Sequence, residues 1–360
     1  MEKHIPSPLS WSIALLMTLM FCVSAALVAR QLAVSASGTM PAPILLPCSP
    51  GSRIEPLKDG LIYSDGAYLH ALNRTGTQIW TNPLGSGGDF SVYDGGVAAW
   101  SGTMLSFMNA GGVSLYSGNM KDTVISAKLG TAYAAVLIGQ EGNGTLVVTE
   151  RGGRPVDSIA MPNQTVLDYG FYSGGNMLWV MLLDTEGTLP LSTISNYRPG
   201  LTLAGSITDA EQTVYHVNFQ SDGIHTVGTI YARVYDYTGK EKAARRQLVY
   251  GWYLLDSSGG GNPLLAYAPI SQEGIDVSDV RLIQGATDKV IRMPFPCMAI
   301  RVSGNVVYGF SEDYVMRYAP SDPKPVSYPL RIAADRLVGI TDNRAAILVS
   351  GESVYLQQLP

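Results

Sequence analysis

Charge is scarce in this chain: 15% of its 360 residues are charged, against about 25% in an average soluble domain. Three cysteines, Cys22, Cys48 and Cys297, are too few for a disulfide framework and too scattered for a zinc site. The net charge of −5 excludes the basic surface of a nucleic-acid binder. No G-x-S-x-G nucleophile elbow occurs, and the glycine run from Ser257 to Asn262 lacks the lysine and helix of a phosphate cradle. Helical periodicity is almost missing beyond residue 52. The one helix-prone piece there, Lys240 to Leu248 (KEKAARRQL), is too short to stand alone. Disorder is excluded too, because 46% of the residues are apolar.

The N-terminus supplies one long apolar run. Residues 9–29 (LSWSIALLMTLMFCVSAALVA) carry no charge and are closed by Arg30. As a helix they would span about 31 Å, matching a hydrocarbon core of roughly 30 Å. A single membrane helix is therefore expected, after a short cytoplasmic tail over residues 1–8. The competing reading is a cleaved signal peptide, with Val34 and Ala36 as the small residues of its site; the run exceeds the usual 7–15 residues of such a segment. Lys3 and the terminal amine favour a cytoplasmic N-terminus, although Arg30 on the far side nearly balances them. The remainder is then expected outside the cell membrane. Residues 30–52 hold Pro41, Pro43, Pro47 and Pro50, which suit an extended spacer. Within it, residues 42–48 (APILLPC) are apolar enough to form a strand.

From residue 53 to 360 the pattern is of short apolar runs separated by Gly, Asn, Asp and Ser, the signature of strands and hairpins. LIYSDGAYLHAL (61–72), VAAWSGTMLSFM (97–108) and VVYGFSEDYVMRY (306–318) each read as two strands around a tight turn. The hairpins repeat. Asn73-Arg74-Thr75-Gly76 precedes Trp80, and 36 residues later Asn109-Ala110-Gly111-Gly112 precedes Tyr116. The final AILVSGESVYLQQL overlays 61–72, with Tyr355, Leu356 and Leu359 in the places of Tyr68, Leu69 and Leu72. That offset of 287 residues is seven intervals of 41, and four short strands per unit of about 41 is the arithmetic of a β-propeller blade. Hairpins near 61–72, 97–108, 133–149, 177–195, 223–237, 263–283, 306–318 and 346–359 predict an all-β propeller of eight blades. Seven is the alternative, because residues 240–293 are poorly patterned. The last hairpin has no outer strand after it, and residues 42–48 are the candidate to close the ring. Gly76 and Gly112 fall at hairpin ends that call for positive φ, and Trp80 and Tyr116 after them are placed to pack between blades.

The first unit resembles the repeat of the quinoprotein-like propellers, through Tyr63, Gly66, Tyr68, Leu69, Ala71, Leu72, Thr75, Gly76 and Trp80. The chain as a whole also resembles uncharacterised membrane-tethered propeller proteins of Gram-positive bacteria. The resemblance raises quinone-dependent dehydrogenase chemistry, but the adjacent cysteines and acidic calcium site of those enzymes have no counterpart here. No catalytic, cofactor or metal residue is therefore assigned. His216 and His225 lie nine residues apart across a hairpin with no third metal ligand in view. Lys240, Lys242, Arg245 and Arg246 form the one basic cluster, with Glu241 inside it. Cys48 and Cys297, both beside prolines at strand ends, are a possible disulfide. The expected role is a membrane-anchored binding or scaffold module for a protein or envelope component. An envelope-assembly factor is the alternative, and a dehydrogenase, lyase or hydrolase with its site in the central funnel is a further one.

Overall fold

Each glycine-punctuated hairpin of the sequence forms the middle of a four-stranded antiparallel sheet. The computed structural model describes residues 40–187, 190–200, 203–259 and 261–360, together with Met17 and Met20. These residues form eight four-stranded sheets, seven of them built in chain order from inner to outer strand. Neighbouring inner strands touch around the ring: Ile54–Leu57, Asp89–Tyr93 and Val124–Leu129 in turn, and Arg336–Ile340 meets Ile54–Leu57 where the circle closes. The architecture is an eight-bladed β-propeller, and the seven-bladed alternative falls.

Blade 5 explains the ambiguity of residues 240–293. Its outer strand is only Gln247–Leu248, and the turn of 3₁₀ helix Ala243–Arg245 takes up the helix-prone segment. Blade 6 then follows in full, from Trp252–Ser257 to Thr287–Cys297. A two-residue strand carries no period for a pattern to show.

The eighth sheet takes its outer strand from the other end of the chain. Ile44–Leu46 pairs antiparallel with Ser353–Gln358, with Ile44 opposite Leu356 and Leu46 opposite Val354. Leu46 is buried among Ile54, Leu61, Leu72, Ile347 and Leu356, between blades 8 and 1, while its neighbour Leu45 faces solvent. The membrane helix expected over residues 9–29 lies outside the described residues. Among the described residues no helix is long and apolar enough to cross a membrane.

One contact recurs from blade to blade. Trp80, on the outer strand of blade 1, lies over Gly112 in the outer hairpin turn of blade 2, and its Nε1 donates to Ala110 O at 3.0 Å. Gly112 has φ +77°, and a Cβ there would stand 2.5 Å from the indole. Only glycine meets both demands. Tyr116 of blade 2 covers Gly153 of blade 3 in the same way, and Ile44 and Leu46 of the closing strand cover Gly76 of blade 1. Tyr68, Leu69, Ala71 and Leu72 form the third strand of blade 1; Leu69, Ala71 and Leu72 are buried, and Tyr68 is half exposed at its upper end.

The disulfide expectation is corrected. Cys48 and Cys297 are both free and buried, Cys48 between blades 8 and 1, Cys297 between blades 6 and 7. Burial pushes the Cys48 thiol up to about 11 and the Cys297 thiol up to about 12, so both are protonated and unreactive at neutral pH.

Candidate functional site

The inner strands carry polar side chains among apolar ones, and their geometry decides what the axis of the ring can do. In five blades the inner strand carries a β-bulge at an equivalent place: at Ile125, Leu167, Tyr215, Leu255 and Val338. A bulge re-aims the side chains on either side of it. Each bulged residue is apolar, and Ile125, Leu167 and Tyr215 are solvent-exposed. In blades 3 to 6 the next residue is polar: Ser126, Asp168, His216 and Asp256.

These polar groups bond to the adjoining blade. Ser126 Oγ lies 2.8 Å from Tyr169 Oη, and Lys128 Nζ lies 2.5 Å from Asp168 Oδ1, both between blades 3 and 4. His216 Nε2 lies 3.0 Å from Ser257 Oγ, from blade 5 to blade 6. Asp256 Oδ2 accepts from Val302 N at 2.7 Å, from blade 6 to blade 7. Glu55 Oε2 accepts from Val92 N at 2.8 Å, and Ser91 donates to Ala127 O, which links blades 1, 2 and 3. Tyr93 goes further: its hydroxyl reaches past blade 3 to blade 4, where it donates to Phe171 O at 3.0 Å and accepts from Phe171 N at 2.8 Å. Lys128 Nζ sits over the Tyr93 and Tyr169 rings at 5.2 and 5.3 Å. These inner-strand polar groups are thus occupied as ties between blades.

The Ser257–His216 pair has the spacing of a nucleophile and its base, and sequence reading missed it. Among the described residues no carboxylate hydrogen-bonds His216, so the orienting member of a triad is absent. Burial pushes the His216 pKa below its usual 6.5, and the charges of Asp256 and Asp168 offset this only in part. Its contribution to stability has a definite sign. Below about pH 6.5 the unfolded histidine takes up a proton that the folded one resists. Stability is therefore full above pH 6.5 and falls as pH drops toward the depressed folded value. Melting temperatures at pH 7.5 and 5.5 should fall more for the wild type than for His216→Gln; equal falls would show that His216 is not held neutral.

The other two histidines among the described residues are satisfied. His70 Nε2 lies 2.8 Å from Asp65 Oδ2, Nδ1 lies 3.1 Å from Gln78 Oε1, and the ring stacks on Tyr63. His225 Nε2 lies 2.9 Å from Asp222 Oδ1. Burial opposes the Asp222 charge, yet hydrogen bonds from Arg245 and His225 hold its pKa down to about 2. His216 and His225 both line a cavity of about 460 Å³ between blades 5 and 6. Among the described residues no group of three or more His, Cys, Asp or Glu is placed to hold a metal. Three of the cluster's four side chains are engaged: Arg245 pairs with Asp222, Arg246 pairs with Glu241 at 2.8 Å, and Lys242 donates to Asp222 O. Buried Arg233, which the sequence did not single out, bonds Asp209 at 3.2 Å and Glu211. Acids therefore offset the three arginines of this region, Arg233, Arg245 and Arg246.

No protein-family model matches the chain, and no curated protein matches it in sequence. Solved structures match it in fold. BamB from Moraxella catarrhalis is 11% identical with a TM-score of 0.55, over 89% of this chain and 99% of that one. The C-terminal WD40 domain of Sif2 is 13% identical with a TM-score of 0.61, over 90% and 100%. Sqt1 of Saccharomyces cerevisiae is 10% identical with a TM-score of 0.57, over 91% and 97%. At these identities the likeness shows the fold alone, a β-propeller, and function has to come from the surface of this chain.

Proposed function

We propose that this chain is a membrane-tethered, extracytoplasmic β-propeller that binds or scaffolds a protein partner through one face of the ring. The carrying observation is an apolar arc. Ile125, Leu167 and Tyr215 are exposed where the inner strands of blades 3, 4 and 5 begin. Tyr250, between blades 5 and 6, and Ile270 and Ile275, in the central turn of blade 6, are exposed at the same end of the strands. Apolar side chains gathered on one face of a lightly charged protein favour a docked partner over water. The axial polar groups, held as ties between blades, favour binding over catalysis. The uncharged run 9–29 supports the tether, and the short tail before it supports an outward-facing ring.

A photo-crosslinking residue at Leu167 or Ile275 should give one discrete adduct in intact cells. The same residue at Val113, exposed on the opposite face, should give none. No adduct at either face, or equal labelling from both, would remove the proposal. Protease added to intact cells should degrade the propeller; protection would reverse its placement.

A further inference from the structure

Antiparallel pairing puts the turns of each blade alternately on the two faces of the ring. The turn between second and third strands opens on the face of the apolar arc. The turn between third and fourth strands opens on the opposite face, where Val113 lies. The two sets of turns differ in charge. On the arc face, Asp65, Glu141, Glu186, Glu273, Glu312 and Glu352 place an exposed acid in six of the eight turns, and none of the eight contains Lys or Arg. On the opposite face, Arg74, Arg151, Arg154, Arg198, Lys240 and Lys324 come from the turns of blades 1, 3, 4, 5 and 7. All of these cations except half-buried Arg151 are exposed.

Most of these cations are not neutralised. Arg154 pairs with Glu150, but among the described residues Arg74, Arg198, Lys240 and Lys324 form no ion pair. The acids of the same turns are committed elsewhere. Asp236 Oδ1 accepts from Thr238 N and Lys240 N at 2.9 and 3.0 Å, and Asp322 pairs with Arg317 at 3.2 Å. The chain also enters the ring on this face. Ile44–Leu46 runs antiparallel to Ser353–Gln358, so its start lies away from the arc. Pro41 O accepts from Gln357 Nε2 at 3.1 Å, and Met40 is 4% exposed in the seam between blades 7 and 8. Only residues 30–39 separate this anchored point from the uncharged run 9–29. Fully extended, ten residues reach about 35 Å.

We propose that the basic face lies on the bilayer that holds the tether and binds its anionic lipid headgroups, which turns the acidic face and the apolar arc outward. The inference rests on the tether proposed above. Each Lys or Arg brought to an anionic bilayer adds to the attraction, and the attraction fades beyond a Debye length of about 8–10 Å. Separate weak contacts therefore need a device that keeps the face near the headgroups. The short segment 30–39 is that device, because it makes every further contact an intramolecular one. The acids of the arc face are repelled by the same lipids, so both faces favour one orientation. A soluble polyanion would meet the same cations, but the bilayer lies where the chain leaves the ring.

The test places the full chain in lipid nanodiscs, with a donor dye on Val113→Cys or Ile275→Cys, one on each face, and an acceptor on the headgroups. Cys22 is replaced by Ser, and Cys48 and Cys297 are buried. In discs with about 30% phosphatidylglycerol, energy transfer at residue 113 should be about twofold or more above that in phosphatidylcholine alone. At residue 275 the anionic lipid should lower the transfer. Salt at about 1 M, where the Debye length is about 3 Å, should abolish both differences. Arg74→Glu/Arg154→Glu/Arg198→Glu/Lys240→Glu should lose the lipid dependence while keeping its melting temperature, since all four positions are exposed. The matching four-Gln variant, which adds no repulsion, should lose most of it. A chain held in both discs with equal transfer at residue 113 would overturn this inference and leave the tether standing. A full response from the folded four-Glu variant would overturn it too. Polyphosphate bound by a chain whose transfer ignores phosphatidylglycerol would assign the face to a soluble polyanion instead. A chain that washes out of phosphatidylcholine discs in high salt would remove the tether, and this inference with it.

Discussion

Gly112→Ala is expected to cost about 3–5 kcal/mol and to lower the melting temperature by roughly 10 °C. Three terms add. An alanine at φ +77° is strained by about 1–2 kcal/mol. Its Cβ would occupy the space of the Trp80 ring, so the indole must move, at about 1–3 kcal/mol of overpacking. Moving the indole breaks its bond to Ala110 O, worth about 1 kcal/mol. Against a total stability of about 5–15 kcal/mol this is severe. Gly66→Ala is the control, because Gly66 has φ +96° but nothing lies within 4 Å of its Cβ position. It should lose only the strain. Equal losses in the two variants, measured by urea denaturation, would mean that the seat of Trp80 on the next blade contributes nothing.

Leu46→Asp should be at least as damaging. Leu46 is 4% exposed in the seam between blades 8 and 1, and burying it contributes about 2–3 kcal/mol. A carboxylate there must either ionise in an apolar seam or take up a proton, which adds further cost. A loss of about 4 kcal/mol or more follows. Leu45→Asp, one residue away on the same strand and 62% exposed, should change stability by less than about 0.5 kcal/mol. The contrast isolates ring closure: if the two variants behave alike, residues 44–46 are not seated as the last outer strand.

Both effects sit on features that the sequence half displayed. The second strands are buried on both faces, the third strands alternate buried with more exposed residues, and the turns between them are rich in Gly, Asn and Asp, so eight hairpins stood out, as did the paired Gly76–Trp80 and Gly112–Tyr116 spacings. The inner strands did not. Their bulges break the alternation that reveals a strand, as at Tyr215–His216 and Leu255–Asp256. Their partners are one blade away in sequence: His216 and Ser257 are 41 residues apart, Lys128 and Asp168 are 40 apart. Those separations match the repeat period, so knowing the period would have been enough to look for them. The Cys48–Cys297 pairing went astray for the converse reason. Neighbouring prolines mark strand ends, and say nothing about which seam of the ring a thiol enters. The sorting of charge onto two faces left no signal at all, because acidic and basic turns alternate along the chain and only the strand directions assign them to a face.

The low charge of the chain takes on a double meaning in the folded ring. Most of it reflects strands covered on both faces by neighbouring blades, as in the seam that holds Leu264, Val280, Ile300 and Val307. Part of it is the arc of Ile125, Leu167, Tyr215 and Ile275, which no element of the described ring covers.

The most direct measurement is therefore made on that arc. The double variant Ile125→Asp/Leu167→Asp places two charges on exposed positions and should leave the melting temperature within about 2 °C of the wild type. Purified from its own cells after reversible crosslinking, the wild type should retain a stoichiometric protein partner and the double variant should lose it. A partner retained in full by the folded double variant would contradict the docking face.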